Sequence, residues 1–239
     1  TFAHILKYNT FPLAEILTRL LEIGQREMKC CVEIEFAADL DTAGNKIFNV
    51  LQIRPIADGN GSVAVDWSKI DTSNAIISAT SALGTGAVGG VSDIIYLRRE
   101  AFDPAATGKM ADELTRLNEQ MRREGRGYVL VGFGRWGSSN PWLGVPVKWS
   151  DISEAKVIVE CGLDNFRIEP SQGTHFFQNM TSFGVGYITV NPYAGDGTLD
   201  FERLDAMPAQ SESRYIRHVR FDRPLEICID GIGSRAIVK

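Results

Sequence analysis

A mixed α/β fold is predicted for this chain, with an N-terminal helix-and-hairpin piece joined to a larger α/β domain. Three observations carry the prediction. An amphipathic helical stripe is followed by two alternating strand-like runs. A small-residue polar stretch at residues 57–62 reads as a linker. Beyond it, short apolar runs interleave with a long amphipathic helix. The 239 residues are 44% hydrophobic, enough for one large core or two ordinary ones.

Taken in order, residues 12–28 read as a helix. Pro12 suits its first turn, and Leu13, Ile16, Leu17, Leu20 and Leu21 recur on one face. Residues 31–38 alternate, with Val32, Ile34 and Phe36 on one side and Glu33 and Glu35 on the other. Residues 46–55 form a second run, and the polar stretch 39–45 between them signals a hairpin. The small residues 57–62 place a domain boundary there, dividing the chain into 1–58 and 59–239. In the second part, strands are expected at 62–66, 75–79 and 91–97. A helix follows at 109–123, with Met110, Leu114, Leu117 and Met121 on one stripe. The apolar runs 128–131 and 157–159 read as buried strands, and further strands are expected at 186–190, 215–221, 225–229 and 236–238.

Bulk properties exclude several classes. A net charge of -5 speaks against nucleic-acid or anionic-membrane binding. No run approaches the ~20 apolar residues of a membrane-crossing helix, and no signal peptide is visible. The four cysteines contain no CxxC pair, so thiols in a reducing, cytoplasmic compartment are expected rather than disulfides or zinc. No Ser-His-Asp order, Cys-His pair or zinc-protease motif points to hydrolysis. The chain opens on Thr1 in mid-pattern, which leads us to expect a piece of a longer polypeptide.

Chemistry concentrates on the hairpin. Glu33 and Glu35 are two apart on one strand, and Gln52 and Arg54 two apart on the next, so each pair shares a face. If the strands pair, a carboxylate, an amide and a guanidinium converge. Carboxylate and amide oxygens suit Mg²⁺, and Arg forks onto phosphate. A solvated face with a surface salt bridge is the alternative. The pattern VEIEFA at 32–37, then LQIRPI at 51–56, resembles the closing hairpin of the ATP-grasp domain in the pyruvate phosphate dikinase and phosphoenolpyruvate synthase family. The resemblance covers about a quarter of the chain. It implies that Glu35 and Gln52 hold Mg²⁺, that Arg54 contacts phosphate of ATP, and that the upstream half of the domain is a partner in a parent chain. Glu33 stands where the family has Asp.

The same family continues into a swivelling domain with a phosphorylated histidine, near G-G-x-T-(S/C)-H-A-A. Here Gly173-Thr174-His175-Phe176-Phe177 is similar, with Gly184 nine residues beyond the histidine. The resemblance implies that His175 relays phosphate, with pyruvate or phosphoenolpyruvate as a further partner. The two phenylalanines depart from the pattern, and a structural histidine is the competing reading. His4 and His218 carry weaker signals still.

Gly132-Phe133-Gly134-Arg135-Trp136-Gly137 follows a strand and matches G-x-G-x-x-G, but a helix-breaking run comes next, so dinucleotide binding is discounted. Two readings remain: an anion nest with Arg135 binding a cofactor phosphate, or a tight loop packed by Trp136 and Trp142. The run GRWGSSNPWLGVPV also resembles a variant subgroup of dikinase-like proteins, which implies one site shared by Arg135 and His175. The glycine-rich residues 84–90 lack the Lys-Ser/Thr of a P-loop and read as a tight turn. The function expected is therefore a part of an ATP-dependent phosphotransferase. The alternative is a degenerate, non-catalytic module that binds a nucleotide or a partner and regulates the parent.

Overall fold

A computed structural model describes residues 10–28, 32–40, 46–55, 66–167 and 184–239. The chain divides into two compact units, Thr1–Asn60 and Gly61–Lys239. Both mix helix and strand, so the fold is α/β throughout.

In the first unit, helix α1 (Leu13–Met28) is followed by β1 (Val32–Leu40) and β2 (Lys46–Pro55), which pair antiparallel. The helix lies on the apolar side of the hairpin. Gly24 makes this approach feasible: a Cβ there would stand 2.8 Å from Val32 Cγ2. Phe36 and Phe48 stack with centroids 5.0 Å apart, and Phe11 stacks on Phe48 at 6.4 Å. Leu13 and Val32 are buried, whereas Leu21 and Ile23 stay partly exposed on the helix.

In the second unit three short strands step between two sheets, β3 (Ile77–Ala79), β4 (Ser81–Leu83) and β5 (Thr85–Val88). The expected turn at 84–90 is thus largely a strand. Its glycines serve the corners, with Gly84 at φ 109° and Gly90 at φ 74°. Next come β6 (Asp93–Leu97), α2 (Thr107–Glu124) and β7 (Tyr128–Phe133), a parallel βαβ unit. Helix α2 ends on Gly125 in the left-handed conformation, φ 64°, as a helix C-terminus favours. The chain continues through β8 (Arg135–Trp136), β9 (Gly144–Val145), β10 (Ala155–Cys161), β11 (Gly186–Val190) and β12 (Thr198–Leu199). Helix α3 (Phe201–Ala206), β13 (Ala209–Glu212), β14 (Ile216–Arg220), β15 (Ile227–Asp230) and β16 (Arg235–Val238) complete it.

A seven-stranded mixed sheet runs β13-β14-β6-β7-β10-β11-β4, parallel through β6, β7, β10 and β11. An antiparallel five-stranded sheet runs β12-β3-β16-β15-β5. The parallel strands are buried on both faces apart from Lys156 of β10, which explains their largely apolar sequences. Met110, Leu114 and Met121 of α2 belong to the same core. The strand expected at 62–66 lies outside the described residues except for Asp66, which caps a single 3₁₀ turn, Trp67–Lys69. Among the described residues no helix is long and apolar enough to cross a membrane.

Candidate functional site

The hairpin register sets its chemistry. Glu35 stands directly opposite Gln52, and Glu33 opposite Arg54. Opposed residues of an antiparallel pair project to the same face with Cβ atoms about 4.5–5.5 Å apart. Val32, Ile34 and Phe36 occupy the other face, under α1. Glu35 and Gln52 are both exposed, while Glu33 is half-buried and engaged in a contact of its own. Arg54 is placed by its backbone register; its side chain lies outside the described residues.

Between Glu35 and Phe36 the register shifts, because Phe36 pairs with Val50 rather than Leu51. Leu51 is the extra residue of a β-bulge, 59% exposed. After the bulge Ala37 faces Asn49 and Asp39 faces Ile47. The polar face therefore carries Glu33, Glu35 and Asp39 on β1, with Gln52 and Asn49 on β2.

Hard oxygen donors from Glu35 and Gln52, side by side across a ladder, fit Mg²⁺ as a partial ligand set. Among the described residues no group of three or more His, Cys, Asp or Glu is arranged to hold a metal. A cation here would take its remaining ligands from water and from an anion arriving with it, which is how Mg²⁺ is usually held with phosphates.

The glycine loop after β7 is a packed corner. Its amides are taken up by protein acceptors: Gly134 N–H donates to Cys161 O at 3.2 Å, Arg135 N–H to Leu143 O at 2.8 Å and Gly137 N–H to Val145 O at 2.9 Å. Trp136 N–H donates to Glu160 Oε1 at 2.9 Å, and Tyr187 Oη–H donates to Glu160 Oε2 at 2.6 Å. The Trp136 ring lies so close over Gly132 that any Cβ there would overlap it. Trp136 is 2% exposed and packs the loop as expected, but Trp142 is 67% exposed and does not. Arg135 is half-buried and engaged through an interaction of its own.

His175, with Gly173, Thr174 and both phenylalanines, lies outside the described residues, and so does its expected pairing with Arg135. His218 is described, and it is structural. It is fully buried on β14, with Nε2 2.8 Å from Asp93 Oδ1. Arg220 Nε donates to the same oxygen at 2.6 Å, and Arg126 Nε donates to Asp93 Oδ2 at 2.8 Å. Burial pushes the Asp93 carboxyl up, but hydrogen bonds from His218, Arg220 and Arg126 outweigh it and hold the pKa at about 2. Sequence reasoning missed this cluster. Its one local signal was an acid inside the apolar run 91–97. Of the cysteines, Cys161 and Cys228 are buried and free, and burial pushes the Cys161 thiol up to about 12. Cys30 and Cys31 lie outside the described residues.

Comparison with models of known protein families, with curated proteins and with solved structures finds no match.

Proposed function

We propose that the N-terminal unit supplies the metal-and-phosphate end of an ATP site in a phosphotransferase of the dikinase type. The observation that supports this is the register of the hairpin, with Glu35 opposite Gln52 and Arg54 two residues further along the same strand. In this reading Glu35 and Gln52 hold Mg²⁺, whose chemistry when bound is to neutralise polyphosphate charge. Arg54 contacts a phosphate oxygen. The rest of the nucleotide pocket comes from outside this chain, and a ring nitrogen of His175 accepts the phosphoryl group, an N–P bond forming as a P–O bond of ATP breaks and the remaining nucleotide leaves with the bridging oxygen.

The test is direct. Mn²⁺, as a paramagnetic substitute, is titrated against the chain in the presence of tripolyphosphate and followed by electron paramagnetic resonance. Glu35→Gln and Gln52→Leu should each weaken saturable binding by about tenfold, the order expected for one hydrogen bond or ligand to a charged group. Superimposable isotherms for the wild type and Glu35→Gln would overturn the reading. In a polypeptide carrying the remaining nucleotide pocket, acid-labile labelling from β-labelled ATP should vanish in His175→Ala.

A second reading, a non-catalytic binding module, is favoured by one observation. The glycine loop of the second unit has no free amide among Gly134, Arg135, Trp136 and Gly137 to offer a phosphate. Retained metal–polyphosphate binding without any acid-labile label would select it.

A further inference from the structure

We infer that Asn49 is a further binding residue of the hairpin site, contacting a phosphate oxygen beside the one nearest the metal; this rests on the metal–phosphate reading of the hairpin. Phe48 and Gln52 are four residues apart, so in a regular strand they would share a face. They do not: Phe48 stacks on Phe36 beneath the helix, and Gln52 faces Glu35. Only an extra residue between them reconciles the two, and Leu51 is that residue.

The same shift moves Asn49. Without the bulge it would lie on the helix side; with it, Asn49 lies on the face of Glu35 and Gln52, opposite Ala37. A bulge interrupts the ladder and here leaves a leucine largely in water, and such irregularities recur where a side chain is re-aimed at a site. Ala37 has no polar group and little reach, so Asn49 supplies the hydrogen bonding at that rung. Asn49 and Glu35 are diagonal neighbours, and such residues lie about 7–8 Å apart with their Cβ atoms somewhat closer. A carboxamide there lies one group beyond a cation shared by Glu35 and Gln52. Its N–H donates to an anionic oxygen without adding charge.

The sign of two substitutions tests the assignment. Mn²⁺ alone and Mn²⁺ with tripolyphosphate are titrated against the wild type, Asn49→Ala, Asn49→Asp and Glu35→Gln. Asn49→Ala should weaken the Mn²⁺–tripolyphosphate complex about fivefold or more and leave Mn²⁺ alone nearly unchanged. Asn49→Asp should weaken the complex by repulsion and yet tighten Mn²⁺ alone, an inversion that loss of structure would not produce. If the wild type binds and Glu35→Gln does not, but Asn49→Ala matches the wild type or Asn49→Asp moves both ligands in one direction, this inference is overturned and the hairpin reading stands. If Glu35→Gln also matches the wild type, both fall together.

Discussion

Asp93→Asn removes the one anion that ties three elements of the second unit together. His218 and Arg220 reach it from β14, and Arg126 from the turn between α2 and β7. The side chain keeps its shape but loses its charge, so two guanidinium groups lose their counter-ion. They are 36% and 27% exposed, and Arg220 keeps Glu124 Oε2 at 2.7 Å, so both recover part of the loss from water and that partner. His218 is fully buried and cannot. Breaking a buried pair by removing one partner costs roughly 3–5 kcal/mol, and the partial exposure places this case at about 3.

The pKa leads to a similar size. The folded value of about 2 lies below the ordinary carboxylate value of 3.8, a gap of roughly 2–3 kcal/mol. The native state therefore prefers the ionised acid. That stabilisation is complete above about pH 4 and is lost as pH falls through the folded value near 2. In a unit of this size the variant should melt roughly 6–12 °C lower at neutral pH. Thermal unfolding by circular dichroism at pH 7, 5, 4 and 3 is the assay, and the gap should begin to close below pH 4. Coincident melting curves at pH 7, or a gap that widens on acidification, would refute the reasoning.

Two further outcomes are expected. Gly144→Ala should lower the stability of the second unit by more than about 3 kcal/mol, because the new Cβ would overlap the Arg135 carbonyl, which is backbone and cannot swing aside; chemical denaturation reads this directly. Cys161 and Cys228, buried in the folded unit, should escape alkylation at pH 8 in the native state and react in denaturant, as peptide mass spectrometry of the modified protein would show.

Where a stretch contacts itself or its immediate neighbour, the amino-acid order was sufficient. The stripe from Leu13 to Leu21 marked α1, the alternation around Glu33 and Glu35 marked β1, and the apolar runs near Val129 and Val157 marked buried parallel strands. Side-chain periodicity is a local property, so it survives without a fold. The same alternation put Glu35 on one face of its strand and Gln52 on one face of the next.

What the order of residues could not decide was pairing. The Leu51 bulge is invisible until β1 lies against β2, because a one-residue shift is defined only by a partner strand. It moves Asn49 to a different face. Strand β5 hid inside the glycine-rich run 84–90 because its partner, β15, is distant in sequence. The glycine loop offered amides on paper, and tertiary acceptors, Cys161 O, Leu143 O, Val145 O and Glu160, consumed them. Asp93, Arg126 and the pair His218 and Arg220 are far apart in sequence and meet because β14 and β7 flank β6. Their attraction falls steeply with distance and depends on exclusion of water, and both conditions exist only in the folded chain.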